Sequence, residues 1–417
     1  MTSRSQPSSQ NFGDGEPAIR ISDCPADCVL MTAPLSNYAN EIYLQGLADV
    51  RPAFSTDTSA LAESARAAME PGPFWYVAGA AGSGATARAN RAAFDRWRLV
   101  PRMLRDATNR SLATTVLGTA MPAPVLLAPI GVQSVVHPEG ELATARAAAD
   151  LGVPMIMSTA ASYAIEEVAA ANDDGPRWFQ LYWPNDDDVC ASILARARAA
   201  GFTTLVVTLD TWLLGWRPHD LDQAYLPFIR GTGLAVYFSD PAFRAGLAKP
   251  PEDDLQSALL RWLPLAIGVD KSWDRLPFLR AHWDGPIVLK GILHPDDARR
   301  AADAGMDGIV VSNHGGRQID GAVAALDALP GIAETVGDRL AVLLDSGVRT
   351  GADVLKALAL GARAVLLGRP YAYGLALGGQ DGVRHVLRSL LADLDLTMAL
   401  SGHRSLSELT PESLVRA

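Results

Sequence analysis

Beyond about Pro124 the chain settles into a repeating pattern. Short runs of consecutive apolar residues alternate with longer, alanine-rich stretches in which apolar positions recur every three to four residues. Uninterrupted apolar runs read as strands buried on both faces, and the longer recurrence reads as helices packed on one side. Strands are predicted over Val125–Ile130, Met155–Ser158, Trp178–Tyr182, Thr204–Asp210, Ile287–Lys290, Ile309–Ser312, Ala341–Asp345 and Ala364–Leu367. Helices follow seven of them directly, over Glu139–Leu151, Ile165–Ala171, Asp186–Ala200, Pro295–Ala304, Ala322–Val336, Gly351–Leu360, and Tyr371–Leu377 with its continuation. Eight strands in alternation with helices predict an α/β fold, a (β/α)8 TIM barrel. The competing architecture, a doubly wound open sheet, would usually carry a Gly-x-Gly-x-x-Gly turn after its first strand, and Ala128-Pro129-Ile130-Gly131 is not one.

The rest of the chain divides around this repeat. Residues 1–35, rich in Ser, Gln, Asp and Pro without periodicity, are expected to form a flexible tail. Residues 36–123 form an N-terminal extension, with a helix over Leu61–Met69 and an aromatic cluster, Phe74-Trp75-Tyr76, beside a Gly-Ala turn. The barrel is assigned to 124–400 and a C-terminal segment to 401–417. After the fourth strand comes a long insertion, 211–284, containing Trp212, Trp216, Tyr225, Phe228, Tyr237 and Phe238. That aromatic content favours a partly ordered lid over the barrel mouth rather than a flexible linker.

Composition narrows the class. With 49% hydrophobic and 20% charged residues the chain is globular, and a net charge of −10 without a basic block argues against nucleic acid as a partner. No apolar run reaches the roughly 18 residues needed to span a bilayer. Neither a basic n-region nor an apolar h-region opens the chain, so no signal peptide is expected. Cys24, Cys28 and Cys190 make no disulfide framework, and Cys24/Cys28 lack a second pair to complete a zinc site; no metal is expected, and the compartment reads as a reducing cytoplasm.

Chemistry collects where the predicted strands end. These positions read Pro129-Ile130-Gly131, Ser158-Thr159, Gln180-Leu181-Tyr182, Thr208 and Asp210 in the first half, then Lys290, Ser312 with His314 and Arg317, Asp345 with Gly347 and Arg349, and Gly368-Arg369. The strands behind them are apolar, which is how a barrel presents an active site at its C-terminal face. Arg349 and Arg369, in the loops after strands seven and eight, suit a phosphate. His314, Arg317, Asp210, Lys290, Tyr182 and Arg217 form a second, catalytic group. An aspartate beside a histidine makes a general base, and two guanidiniums can hold a carboxylate.

The nonapeptide SNHGGRQID at 312–320, the run DSGVRTGADVLKALALGA at 345–362, GRP at 368–370, FQLY at 179–182 and LKG at 289–291 resemble the FMN-dependent L-2-hydroxy acid oxidase/dehydrogenase family, from about Asn40 to the C-terminus. The resemblance implies FMN as cofactor, a small 2-hydroxy acid and O2 as partners, and a homotetramer or an octamer of such units. It implies that His314 is the base, with Asp210 as its partner. It further implies that Tyr76, Tyr182, Arg217 and Arg317 hold the substrate, and that Lys290 stands near the pyrimidine edge of the flavin. Ser158, Gln180 and Thr208 would bond the isoalloxazine edge, the backbone of Pro129, Ile130 and Gly131 would approach its N5, and Ser312 would contact the ribityl chain. Asp345, Gly347, Arg349, Gly368 and Arg369 would hold the ribityl and phosphate groups.

Within the family, Tyr38-x-Asn40-Glu41-Ile42-Tyr43, LDTW at 209–212, Gly215-Trp216-Arg217-Pro218 and DPAF at 240–243 are most similar to lactate 2-monooxygenase. That branch implies a lid that retains the keto acid until it is oxidatively decarboxylated. Gly131, where simple oxidases commonly carry alanine, would leave room beside the flavin. Ala160 stands where many relatives carry a bulky aromatic, which implies space for a side chain larger than methyl. Two further readings stay open: a flavin-free phosphate-binding barrel enzyme, and a non-catalytic flavin-binding relic.

Overall fold

The computed structural model describes residues 34–268 and 271–417. The tail expected over 1–35 falls almost wholly outside them, as do Cys24 and Cys28. Strand β1 (Trp97–Leu99) and the hairpin β2 (Thr114–Val116) and β3 (Thr119–Met121) precede the barrel. The barrel strands are β4 (Val125–Leu127), β5 (Met155–Ser158), β6 (Arg177–Leu181), β7 (Leu205–Thr208), β8 (Ile287–Ile292), β9 (Gly308–Val311), β10 (Ala341–Leu344) and β11 (Ala364–Leu367). They close in chain order, all parallel, with β11 returning to β4 through Val365↔Val125 and Leu367↔Leu127. The chain therefore folds as the predicted TIM barrel.

The two-residue period of a strand explains why these runs are apolar throughout. Leu126, Ile156, Trp178, Val206, Val288, Val310, Leu343 and Leu366 point inward and form one buried cluster. Their neighbours, among them Leu127, Met157, Phe179, Val207, Leu289, Val311 and Leu344, face the helices in a second, larger core. Val116 and Met121 of the hairpin join the inner cluster, and Thr119 accepts a 2.9 Å hydrogen bond from Trp178 Nε1. The hairpin thus plugs the N-terminal mouth and leaves the opposite mouth for chemistry.

Several boundaries differ from the sequence reading. Strand β7 stops at Thr208, although Leu209 N still bonds Lys290 O at 2.9 Å, so Asp210 lies just past the ladder. Strand β8 runs on to Ile292 through an irregularity at Gly291, whose φ of +111° suits glycine alone. The helix expected from Ala322 begins at Ala325.

The insertion 211–284 is largely helical where described, with Pro218–Asp222, Ala235–Phe238, Pro241–Ala245, Leu255–Ala266 and Leu276–His282. Phe243 is fully buried, Tyr237 nearly so, and Phe228 meets Trp262 with ring centroids 5.4 Å apart. Buried Asp240 caps Pro241–Ala245 and receives Arg196 Nη1 at 3.2 Å, which ties the insertion to the barrel helix Asp187–Ala199. After β11 the helical run Arg369–Leu400 breaks at Gly378–Gly379, and the chain ends in β12 (Leu414–Arg416), antiparallel to β1. Among the described residues no helix is long and apolar enough to cross a membrane.

Candidate active site

A cavity opens at the C-terminal mouth. The barrel contributes Pro129, Ile130, Gly131, Tyr182, Lys290, His314, Arg317, Asp345, Gly347, Arg349, Gly368 and Arg369 to its wall. Tyr76 comes from the N-terminal extension, and Arg217, Leu226, Phe228, Trp262 and Ile267 come from the insertion. The chemistry at the strand ends therefore shares one space. Ser158, Gln180, Thr208 and Ser312 are all buried and are not part of its wall. Ser158 Oγ bonds Gln180 Oε1 at 2.8 Å and Gln180 Nε2 donates to Thr208 Oγ1 at 2.9 Å, a polar chain across three adjacent strands.

His314 sits in a left-handed stretch, φ +57°, followed by Gly315 at +67° and Gly316 at +76°. Such a run strains a non-glycine residue and persists only where its surroundings fix it. Ser312 Oγ accepts from His314 N at 3.1 Å, and Ser346 Oγ accepts from Gly315 N at 3.0 Å. Asn313 and Asn90 exchange two amide bonds of 2.8 and 2.7 Å, and Asn313 Oδ1 also accepts from Gly316 N. A Cβ on Gly316 would stand 2.5 Å from Ala87 N, so only glycine admits the helix Ala85–Asp95 this closely.

The His314 Nδ1 atom lies 2.9 Å from Asp210 Oδ1 and 3.0 Å from Thr211 Oγ1. An ionised Asp210 accepts a hydrogen bond from Nδ1–H, which leaves Nε2 as the basic nitrogen. Burial raises the Asp210 pKa, but the imidazole and Lys290 outweigh it and bring the carboxyl down to about 2. His314 is held below the ordinary histidine value by burial, against the pull of Asp210 and with the like charges of Lys290 and Arg217 adding to it. The imidazole is thus neutral near pH 7 and ready to accept a proton.

Lys290 Nζ bonds Asp345 Oδ2 and Ser312 Oγ, each at 3.0 Å. Burial disfavours the ammonium, yet the Asp345 and Asp210 carboxylates hold its pKa above the ordinary value. Arg217 Nε donates to Arg317 O at 3.0 Å and its Nη2 to Gln318 Oε1 at 2.7 Å. Arg317 Nη1 reaches Gly79 O at 3.2 Å, and its guanidinium lies 5.5 Å from the Tyr76 ring centre. Burial beside Arg217 and Arg369 lowers Arg317 to about 9, and burial pushes the Tyr76 phenol up to about 12. The Tyr182 phenol is likewise raised by burial.

Whether FMN fits rests on charge. Arg369 spends its donors on the carbonyls of Val77, Gly79 and Gly315, and Arg349 Nη1 on Val348 O. Both are half-buried, and desolvation together with the proximity of Arg369 lowers Arg349 to about 10. Two half-buried, partly desolvated cations whose guanidinium hydrogen bonds all go to neutral carbonyls call for an anion. They flank the N-terminus of the helix that starts at Arg369, which has no side-chain cap, and a Cβ on Gly368 would meet nothing nearer than Ala128 Cβ at 3.9 Å. A helix N-terminus, open backbone and two guanidiniums suit a phosphate.

One sequence expectation acquires a different cause. A Cβ on Gly131 would stand 2.7 Å from Ala160 O and 2.8 Å from Ala160 Cβ, so this glycine lets two loops touch. Thr211, Gln318, Ser346 and Asn90 carry supporting bonds that no sequence argument assigned. Thr211, Gln318 and Ser346 lie within LDTW, SNHGGRQ and DSGVRTG, whereas nothing in the sequence marks Asn90.

Residues 65–416 match the FMN-dependent dehydrogenase family, and the chain belongs to it. It is 49% identical over 384 residues to an FMN-dependent alpha-hydroxy acid dehydrogenase, qulF, of Penicillium citrinum, covering 91% of this chain and 96% of that protein. It is 44% identical over 345 residues to an L-lactate oxidase of Lysinibacillus sphaericus, covering 83% and 89%. A solved mandelate oxidase superposes with a TM-score of 0.76 at 39% identity, covering 87% of this chain and 98% of that one. The protein is an FMN-dependent 2-hydroxy acid oxidoreductase.

Proposed function

We propose that this enzyme oxidises L-2-hydroxy acids with side chains larger than methyl to the 2-keto acids, with His314 as general base. The observation that carries the reading is the His314–Asp210 pair, 2.9 Å apart, in a cavity shared with Arg217, Arg317, Tyr76 and Tyr182. Arg217 and Arg317 take the substrate carboxylate from two sides, and the two phenols hold the hydroxyl. His314 Nε2 accepts the hydroxyl proton, and Asp210 stabilises the imidazolium that results. FMN, when bound, takes the two electrons that leave the α-carbon. A base of this kind is worth roughly 10²–10⁴ in rate.

In this reading Ser158, Gln180, Thr208 and Lys290 face the edge of the flavin ring, and Pro129, Ile130 and Gly131 its face. Ser312, Asp345, Gly347, Arg349, Gly368 and Arg369 serve the ribityl chain and phosphate. The substrate's side chain extends over Ala160 toward Leu226, Phe228, Trp262 and Ile267, which with it line the cavity. Self-association belongs to the same reading, because Tyr43 and Leu47 on the helix Asn37–Gly46 and its end are 77% and 82% exposed, an apolar surface that a homo-oligomer would cover. So does a cytoplasmic location.

A second reading, lactate 2-monooxygenase-like decarboxylation with O2, draws support from the insertion. Its helices wall the cavity and would slow escape of the keto acid. One experiment separates the two: anaerobic flavin bleaching across a panel of L-2-hydroxy acids, then product analysis in air. Fast bleaching by aryl and long-chain acids, with free keto acid and H2O2 released, supports the first. Acetate and CO2 from lactate, with larger acids inert, supports the second and rejects the first.

A further inference from the structure

Asp220 belongs to neither group of residues so far assigned a role. It lies in the first turn of the short helix Pro218–Asp222 of the insertion, three residues after Arg217. Its Oδ2 is 4.0 Å from Arg217 Nη1, while its Oδ1 is buried and accepts no hydrogen bond among the described residues. That oxygen faces Gly79, 3.9 Å from where a Cβ would stand. The other carboxylates at the mouth are engaged, Asp210 with His314 and Asp345 with Lys290. Asp220 is therefore the carboxylate left to oppose Arg217 and Arg317.

We propose that Asp220 is a specificity-determining residue, whose charge makes the site prefer monoanionic 2-hydroxy acids to dianionic ones. The proposal rests on the reading that Arg217 and Arg317 take the substrate carboxylate. Arg217 is already oriented by Arg317 O and Gln318 Oε1, and 4.0 Å exceeds a hydrogen bond, so Asp220 does not hold it in place. What Asp220 supplies is negative potential. A guest with one carboxylate gains most of the attraction of the guanidiniums. A guest with two meets the same pair with Asp220 subtracting from each of its charges. Coulomb energy scales with the guest's charge, so the effect on a dianion is about the square of that on a monoanion, roughly fivefold against 25-fold for partly screened charges several ångströms apart.

The test uses FMN-loaded full-length enzyme at fixed low ionic strength. Pyruvate, oxalate and neutral lactamide are titrated while the flavin's visible absorbance is followed. Asp220→Asn is expected to tighten pyruvate about fivefold and oxalate about 25-fold, and to leave lactamide unchanged. Asp220→Ser carries the same expectation and replaces the first variant if that one fails to load FMN. Unchanged or weaker anion binding, or equal shifts for pyruvate and oxalate, overturns the proposal. Loss of FMN loading in both variants assigns Asp220 a structural role and also overturns it. If wild-type enzyme binds neither anion, the carboxylate assignment to Arg217 and Arg317 falls too. If it binds both and only the graded shift is missing, that assignment stands.

Discussion

Asp210→Asn isolates charge from geometry at the catalytic pair. An asparagine oxygen can still accept from His314 Nδ1 at the observed 2.9 Å, so the ring keeps its place while the negative charge goes. The carboxyl is drawn from 3.8 to about 2 despite burial, a coupling to its cationic surroundings on the order of 2 kcal/mol. The sign follows from the depressed value: this stabilisation is present above the ordinary carboxylate range and is lost as pH falls through about 2. If the imidazolium formed in the reaction receives most of it, the variant loses about 10- to 100-fold in the rate of flavin reduction. Because Asp210 is the group holding the His314 pKa up against burial, Lys290 and Arg217, its removal lowers that value further. The acid limb of the kcat/KM profile should therefore move to lower pH as the maximum falls. Anaerobic stopped-flow reduction by a good substrate across the pH range reads both. A rate within about threefold of wild type, or an acid limb that moves up, would refute the role given to this pair.

Three further substitutions probe the surrounding design. Lys290→Met leaves Asp345 buried without its 3.0 Å partner and should cost about 3–5 kcal/mol in chemical denaturation, part of which Asp345→Asn in the same chain restores. Arg349→Met removes a half-buried cation crowded by Arg369, so apoprotein should melt at a higher temperature while FMN affinity, measured by fluorescence quenching, falls at least tenfold. Asn90→Ala breaks the reciprocal amide pair with Asn313 and should cost about 1–3 kcal/mol of stability and lower kcat more than it raises KM, because it loosens the left-handed turn at His314 rather than the carboxylate site.

The barrel was legible because every one of its strands is buried on both sides, inward against residues such as Trp178 and Val206 and outward against helices, so each reads as an unbroken apolar run. The polar ends stood out against that background, and the structure gathers His314, Asp210, Lys290, Arg217, Arg317, Tyr76 and Tyr182 at one mouth. What stayed hidden depends on contacts between residues far apart in sequence. Asn90 reads as an ordinary polar position of an alanine-rich helix until Asn313 meets it, and Asp220 looks like a first-turn acid. Gly131 answers to Ala160 O, which no local pattern reveals. The strand pairing of β12 with β1 was equally silent, because strands of three residues carry too little alternation to register.

The most direct measurement mixes FMN-loaded wild type and His314→Ala anaerobically with the best substrate of the 2-hydroxy acid panel. The account predicts rapid loss of the yellow colour in wild type and a rate at least about 10²-fold lower in the variant, with FMN content and oxalate affinity close to unchanged. Equal bleaching rates in the two proteins would contradict it.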